Sequence, residues 1–199
     1  MIAAAPSLAR CTVPPVGPAA EAAAANRAVL PVLQTERLIL CAPEAEDYKL
    51  WLRIGTEPGC QWIGGPVTPE DAWYDVCGHV ACWLLHGHGP FVLIRRADSV
   101  RLGFVFVGYE WEDSEPELGW FLAEEHRNLG YGAEAAATIR DWALTLLPTF
   151  VSCVKPENEP STRLAKGLGA VLDEAASVRE GTGIWRHGEQ YAAQDGASG

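Results

Sequence analysis

The chain lacks the features that mark membrane proteins and nucleic-acid binders. No stretch approaches the roughly 18 apolar residues that a membrane span needs. Basic residues are the minority, since 15 Lys and Arg stand against 26 Asp and Glu, giving a formal net charge of -11. A phosphate backbone requires a basic face, so we expect no nucleic-acid partner and no membrane. The surplus acid either only keeps the surface soluble or, if it is concentrated near a site, suits a cationic partner such as an amine.

Paired cysteines are also missing. The six cysteines are scattered without a CxxC motif: Cys11, Cys41, Cys60, Cys77, Cys82 and Cys153. The N-terminus has no basic region followed by a continuous apolar run, so it does not match a secretory signal. A chain of 199 residues can form its core without disulfides. We therefore expect a reduced, cytoplasmic protein.

Composition divides the chain into two tails and one globular domain. Residues 1–32 are rich in Ala and Pro, and the prolines break any long helix. We expect a flexible N-terminal tail there, with one short helix near Ala19 to Arg27. Residues 33–190 have a globular composition, and residues 191–199 are expected to form a flexible C-terminal tail.

Hydrophobic periodicity within the globular part predicts a mixed α/β domain rather than a doubly wound one. Helices are expected at about 44–54, 69–85, 132–146 and 161–168, and strands at 38–40, 91–95, 102–107, 117–122, 150–154, 170–173 and 183–186. Thr68 is a good capping residue, because Pro69, Glu70 and Asp71 follow it.

The most informative stretch is a strand, a glycine turn and a helix start between Glu117 and Gly132. The first amides of a helix have no intrahelical partner and carry partial positive charge, so an anion is favoured there. Gly130 and Gly132 allow close approach of a ligand to the backbone, and Arg127 adds a cation. The pattern suits a pyrophosphate, although an ordinary strand-to-helix turn uses the same residues. Neither a third glycine at Ala135 nor a Gly-Lys-Ser/Thr follows, which argues against dinucleotide-binding and Walker loops.

A second segment, from Asn158 to Ala170, follows one strand later. The Arg-x-x-Gly-x-Gly turn, the strand, the Asn-x-x-Ser start and the Leu-Gly-Ala end form a linked signature. It resembles the GNAT superfamily of acetyl-CoA-dependent N-acetyltransferases over about residues 33 to 187. Three further motifs are similar to the ribosomal-protein alanine N-acetyltransferase (RimJ/RimL-like) branch: Thr35 to Leu40, Ile63 to Pro66 and Pro116 to Trp120. The resemblance implies a three-layer α/β (α+β mixed) fold, with a mostly antiparallel sheet splayed at the cofactor site.

The resemblance also implies acetyl-CoA as co-substrate and no metal. Its pantetheine arm would pair with the backbone of Phe121, Leu122 and Ala123. Its pyrophosphate would lie on the amides of the turn: Arg127, Asn128, Leu129, Gly130, Tyr131 and Gly132. Asn158 and Ser161 match positions that face the thiol, and both residue types also cap helices.

Acetyl transfer to an amine needs a proton acceptor and a proton donor, because an ammonium has no lone pair and the thiolate product takes up a proton. Glu117 matches an acidic position of the branch and is the candidate base, with a solvated strand-end glutamate as the alternative. Many GNAT enzymes carry a proton-donating Tyr where this chain has Ala165. Ser161 is therefore the candidate acid, directly or through water; otherwise coenzyme A leaves as a thiolate, since a thiol pKa is only about 8.5.

The acceptor is expected on the side of the first two helices. That region is rich in tryptophan, which either offers cation–π contacts or forms core: Trp51, Trp62, Trp73 and Trp83. Cysteines and histidines also cluster there without a usual zinc spacing, so we expect no metal: Cys77, His79, Cys82, His86 and His88.

The sequence thus predicts an acetyl-CoA-dependent N-acetyltransferase. The acceptor would be a protein N-terminus or a small cationic amine, and the protein a monomer or a homodimer. Two alternatives stay open: a catalytically weak acyl-CoA-binding domain of the same fold, because Ala165 replaces the tyrosine, and a metal-binding interaction module built on the Cys/His cluster.

Overall fold

Eight strands form one sheet in the computed structural model, which describes residues 9–188 except for the side chain of Arg179. The predicted C-terminal tail at 191–199 lies outside the described residues. The strands are β1 (Leu33–Gln34), β2 (Leu38–Cys41), β3 (Pro90–Arg95), β4 (Arg101–Gly108), β5 (Glu117–Leu122), β6 (Phe150–Val154), β7 (Val171–Leu172) and β8 (Gly183–His187). Their order across the sheet is β1-β2-β3-β4-β5-β6-β8-β7. All neighbouring pairs are antiparallel except β5 and β6, which confirms a mixed, mostly antiparallel sheet.

The described part of the chain contains six α-helices, of which the first precedes the sheet and the others lie between strands. They are α1 (Pro18–Ala28), α2 (Tyr48–Ile54), α3 (Pro69–Leu85), α4 (Tyr131–Ala143), α5 (Glu159–Gly167) and α6 (Glu174–Glu180). Thr68 caps α3 as predicted, since its Oγ1 accepts the N–H of Asp71 at 3.1 Å. Two short elements, β1 and α6, were not predicted. Helix α4 begins at Tyr131, one residue before the start predicted near Gly132, because the glycine turn leads directly into it.

Helices cover both faces of the sheet. Helix α4 buries four small or apolar side chains against one face: Ala135, Ala136, Ile139 and Ala143. Helices α2 and α3 cover the other face, where Trp51, Ile54 and Ala72 pack on Val92 and Phe104. Side chains alternate between the faces along a strand. In β5, Leu118 therefore packs in the core under α4, whereas Phe121 packs against the α2 side.

Helix α1 matches the short helix predicted near Ala19 to Arg27. It buries no side chain of its own, but Arg27 Nη2 lies 3.3 Å from Glu44 Oε1, and Leu30 beyond it packs against the core. The mobility of this segment stays a prediction. No helix in the described residues is both long enough and apolar enough to span a bilayer.

Candidate active site

The parallel strands β5 and β6 separate after one residue pair. They pair at Glu117 and Val151, where the N–H of Val151 donates to the carbonyl of Pro116 at 2.9 Å. A regular parallel ladder would next join the N–H of Cys153 to the carbonyl of Leu118. Instead the N–H of Cys153 donates to Glu117 Oε1 at 3.2 Å, and Ser152 Oγ donates to the Leu118 carbonyl at 2.7 Å. Side chains thus satisfy the backbone where the two strands diverge.

The direction of the β5 backbone corrects one expectation about the pantetheine arm. The N–H of Ala123 donates to the carbonyl of Leu102 at 2.9 Å, on the β4 side. Backbone groups of alternate residues point to alternate sides of a strand, so those of Phe121 also face β4. The gap is lined by the backbone of Trp120 and Leu122. Of the three residues predicted to pair with pantetheine, only Leu122 therefore presents its backbone to the gap, and Trp120, which was not among them, does so as well.

The glycine turn follows the C-terminal end of β5 and presents unpaired backbone amides there. Gly130 has φ +82° and Asn128 has φ +60°, both in the left-handed region. Within residues 9–188, no group accepts a hydrogen bond from the N–H of Asn128, Leu129 or Gly130. Tyr131 and Gly132 begin α4, and amides in a first helical turn lack intrahelical acceptors. The predicted turn thus exists as a row of backbone donors at a helix N-terminus.

Side chains from before β2 hold this turn in position. Arg37 Nη1 donates to the carbonyl of Leu129 at 3.0 Å, and its Nε lies 2.6 Å from Glu134 Oε2 on α4. The hydroxyl of Thr35 also donates to Glu134. These contacts give the Thr35-Glu36-Arg37 motif a physical role, because they join the edge of the sheet to the start of α4.

Arg127 was expected to offer its positive charge to the pyrophosphate, but its side chain binds other parts of the protein. Its Nε donates to the carbonyl of Leu122 at 2.8 Å, its Nη1 to the carbonyl of Pro58 at 2.6 Å, and its Nη2 lies 3.7 Å from Glu57 Oε2. The guanidinium therefore ties the segment after α2 to the end of β5. It adds positive charge near the turn, but its donors are occupied by protein oxygens.

Glu117 lies where β5 and β6 diverge, and it is partly buried. Burial, with the nearby carboxylates of Asp113 and Glu110, raises its pKa to about 7, although the N–H of Cys153 acts in the opposite direction. The alternative of an ordinary solvated glutamate does not fit this environment. A carboxyl group with a pKa near neutrality can take up and release a proton at physiological pH.

Ser161 lies near the start of α5 and receives a hydrogen bond from across the gap. Trp120 Nε1 donates to Ser161 Oγ at 3.2 Å, so the hydroxyl proton of Ser161 is left to donate elsewhere. Asn158 caps α5, since its Oδ1 accepts the N–H of Ser161 at 3.3 Å. Ala165 is fully buried beside Trp185, and Trp120 packs against the same cluster. The indole of Trp120 thus packs against the cluster that contains Ala165, the position at which the family resemblance implies a tyrosine.

Aromatic rings cover the same face of β5 as Glu117. Trp51 packs on Phe121 and Phe104 with ring centroids 4.6 and 4.8 Å apart, and Phe106 lies over Gly119. A Cβ at Gly119 would come within 2.2 Å of that ring, so only glycine fits. Of the other predicted tryptophans, Trp83 packs in the core, Trp73 packs on Tyr48, and Trp62 is partly exposed.

The Cys/His cluster is dispersed into separate contacts. His79 Nδ1 lies 3.0 Å from the carbonyl of Asp75, His88 Nδ1 lies 2.8 Å from that of Val107, and Cys82 Sγ contacts that of Gly78. In the part of the chain that the structure describes, no three His, Cys, Asp or Glu side chains converge as metal ligands do.

Comparison with known proteins identifies the family. Residues 37–171 match the acetyltransferase (GNAT) domain, so the chain belongs to the GNAT acetyltransferase family. An acetyltransferase from Agrobacterium tumefaciens str. C58 has 34% sequence identity and a TM-score of 0.75, over 80% of this chain and 95% of that one. The predicted family and fold are thereby confirmed.

Two other proteins bear on the predicted branch. The uncharacterized N-acetyltransferase YnaD of Bacillus subtilis (strain 168) is 32% identical over 80 residues, which cover 39% of this chain and 46% of that protein. RimL, a ribosomal L7/L12 alpha-N-protein acetyltransferase solved in complex with coenzyme A, shares the fold with a TM-score of 0.60. Its sequence identity is 11%, over 79% of this chain and 97% of that one.

Proposed function

We propose that the protein is an acetyl-CoA-dependent N-acetyltransferase that transfers an acetyl group directly to a primary amine. The observation that carries this proposal is the position of Glu117. This carboxyl group, with a pKa of about 7, lies where β5 and β6 diverge, on the face covered by α2 and α3. The free amides of the glycine turn, the gap between these strands and Glu117 follow one another in the order that the pyrophosphate, the pantetheine arm and the amine require.

The residues of the gap fit the co-substrate. A pantetheine arm carries amide groups, and the backbone of Trp120 and the N–H of Leu122 can pair with them, while the Leu122 carbonyl accepts from Arg127 Nε. A pyrophosphate needs donors, and the amides of Asn128 to Gly132 supply them without a large positive charge. Arg127 then acts by holding the segment around Pro58 against β5.

The reaction is a single transfer in which each proton has an acceptor. An amine arrives as an ammonium, and ionised Glu117 removes one proton from it. The nitrogen lone pair attacks the thioester carbonyl, a C–N bond forms, and the C–S bond breaks. As the amide forms, the nitrogen gives its second proton to the Ser161 oxygen or to water, and the same group gives its own proton to the thiolate, so that it ends the reaction unchanged. The products are an N-acetyl amine, coenzyme A and the proton held by Glu117.

A thiol-release assay with a panel of amines tests the proposal. The panel contains N-terminal peptides, aliphatic polyamines and aminoglycosides, each with acetyl-CoA. We expect release of free thiol that depends on at least one amine, together with a mass increase of one acetyl group on that amine. Absence of amine-dependent release across the panel would contradict the proposal.

The second candidate function is an acyl-CoA-binding domain with weak catalysis. The buried Ala165 favours it, because the tyrosine that donates a proton in many relatives is absent. Calorimetric titration with coenzyme A, run beside the assay, separates the two functions. Binding without turnover of any amine supports this candidate, whereas binding with turnover supports the transferase.

A further inference from the structure

A buried polar bridge, formed by Ser152 and His187, joins three strands at the point where β5 and β6 diverge. Ser152 on β6 is 1% exposed and His187 on β8 is 2% exposed. Ser152 Oγ donates to the carbonyl of Leu118 on β5 at 2.7 Å, and His187 Nε2 lies 3.0 Å from the same Oγ. The imidazole stacks on Phe150 with ring centroids 5.0 Å apart. Neither polar side chain takes part in the proposed transfer.

The protons of the polar bridge follow from its geometry. A carbonyl oxygen only accepts, so the single hydroxyl proton of Ser152 is directed at Leu118. His187 Nε2 must then carry a proton and donate it to Ser152 Oγ. Burial, with the cation of Arg140 nearby, lowers the pKa of His187 to about 4, so the ring is neutral and has no second proton. His187 therefore fixes the direction in which the Ser152 hydroxyl donates.

The polar bridge also leaves one buried acceptor unpaired. With its proton on Nε2, the neutral ring of His187 has a lone pair on Nδ1, and Nδ1 has no hydrogen-bond partner within residues 9–188. A buried polar atom without a partner lowers the free energy of unfolding. Native structures rarely leave such atoms, and those that do so often have a functional reason.

Ser152 takes the place of a backbone donor that would extend the β5–β6 ladder. In a regular parallel pair, the N–H of Cys153 would donate to the carbonyl of Leu118, and the N–H of Trp120 would then donate to the carbonyl of Cys153. The second bond would use a Trp120 donor that the pantetheine arm needs. Because the Ser152 hydroxyl binds the Leu118 oxygen and Glu117 binds the N–H of Cys153, the ladder stops after one residue pair.

We propose that Ser152 and His187 are positioning residues that hold β5 and β6 apart, so that the backbone of Trp120 stays free for the pantetheine arm. This inference rests on the proposed acetyl-CoA-dependent function and specifies what keeps its cofactor gap open. Both side chains are buried and act at a distance from the co-substrate. His187 orients the hydroxyl of Ser152, and Ser152 acts through the carbonyl of Leu118.

Calorimetric titration with two ligands tests this role. Coenzyme A contains the pantetheine arm, whereas adenosine 3′,5′-bisphosphate has the nucleotide part without it. In Ser152→Ala the carbonyl of Leu118 loses its side-chain donor, so the ladder can extend into the gap. We expect the Kd for coenzyme A to rise on the order of tenfold, as for loss of one hydrogen bond, while the Kd for the bisphosphate changes less than about twofold.

Three further variants separate positioning from stability. Thr149→Val is the matched control: it removes a hydroxyl that donates to the His187 carbonyl at 2.9 Å, just before β6 and away from the gap, and it should leave the Kd for coenzyme A unchanged. In His187→Leu the Ser152 hydroxyl loses its orienting donor, so coenzyme A should bind more weakly. His187→Gln restores an N–H donor and should regain affinity relative to His187→Leu.

The outcomes distinguish this inference from the proposed function. An unchanged Kd for coenzyme A in Ser152→Ala and His187→Leu, or an equal loss in Thr149→Val, would overturn the inference. Equal weakening of both ligands would overturn it too. Failure of the wild type to bind coenzyme A would contradict both, whereas wild-type binding without turnover of any amine would contradict the transferase function alone. Urea titration verifies that each variant is folded, and the two His187 variants decide the matter where Ser152→Ala does not fold.

Discussion

At the scale of a single residue, the proposed catalytic role of Glu117 and its contribution to stability require opposite protonation states. As a base it must be ionised, yet its surroundings favour the neutral form. Its pKa is raised from 4.5 in the unfolded chain to about 7 in the folded protein. It therefore stabilises the fold fully below pH 4.5, and this contribution is lost as the pH rises through 7. At pH 8 the ionised group costs up to about 3 kcal/mol.

Glu117→Gln should therefore separate activity from stability. Glutamine keeps an oxygen that can accept the N–H of Cys153, but it has no charge. We expect kcat to fall by about 100-fold to 10,000-fold, as for loss of a general base. The free energy of unfolding at pH 8 should rise, whereas at pH 4 it should not. Urea titrations at the two pH values measure this, and a less stable variant at pH 8 would contradict the environment assigned to Glu117.

Trp120 and Ser161 should act as a pair. The indole N–H is expected to orient the Ser161 hydroxyl, so Ser161→Ala and Trp120→Phe should each lower kcat by about tenfold. This loss is smaller than that usually seen when a general acid is removed, because a thiolate leaves readily without protonation. The double variant should be no slower than Ser161→Ala, since coupled residues are not additive. Steady-state kinetics of the three variants measures this coupling. Fully additive losses would show that the hydrogen bond has no catalytic role.

At the scale of elements, the glycine turn before α4 is expected to bind the co-substrate through its backbone. In Gly130→Glu, the new carboxylate would lie among the amides that the pyrophosphate needs. Gly87→Glu is the matched control: Gly87 has φ +77°, close to the +82° of Gly130, and a Cβ there meets nothing within 4 Å. Both variants should lose stability from a non-glycine residue at positive φ, and Gly130→Glu should lose somewhat more, because its Cβ would lie 3.2 Å from Arg37 Nη2.

Calorimetric titration with coenzyme A distinguishes these two variants. Gly130→Glu should bind at least about 100-fold more weakly than Gly87→Glu, which corresponds to about 2.7 kcal/mol. Equal affinities would show that the turn does not hold the pyrophosphate.

A comparison of the observed elements with those predicted shows how much of the fold could be inferred from the sequence. Strand β5 and the cap at Thr68 follow from local patterns, so their bounds were predictable. Helix α6 has seven residues and buries only Ala176 among its described side chains, so it lacks a long periodic pattern. The engagement of Arg127 depends on Pro58, distant in sequence, and the role of Trp120 depends on which side of β5 faces the gap. Such contacts arise from tertiary structure, which periodicity does not report.

At the scale of the whole molecule, the acidic charge should act oppositely on the two substrates. The net charge of -11 attracts a cationic amine and repels the polyanionic coenzyme. Salt screens both effects, since the Debye length falls from about 10 Å at 0.1 M to about 3 Å at 1 M. We expect added NaCl to raise KM for the amine while KM for acetyl-CoA falls or stays constant. A KM for acetyl-CoA that rises steeply with salt would instead indicate binding by exposed cations.

The pH dependence of kcat/KM tests the central claim, that Glu117 removes a proton from an amine at the divergence of β5 and β6. For an ammonium substrate, wild-type kcat/KM should rise tenfold per pH unit below about 7, the pKa of Glu117, and then level off. In Glu117→Gln the amine must arrive already neutral. Its kcat/KM should be lower and should keep rising toward the amine's own pKa of about 10. Identical profiles for the two proteins, with no inflection near pH 7 in the wild type, would contradict the claim.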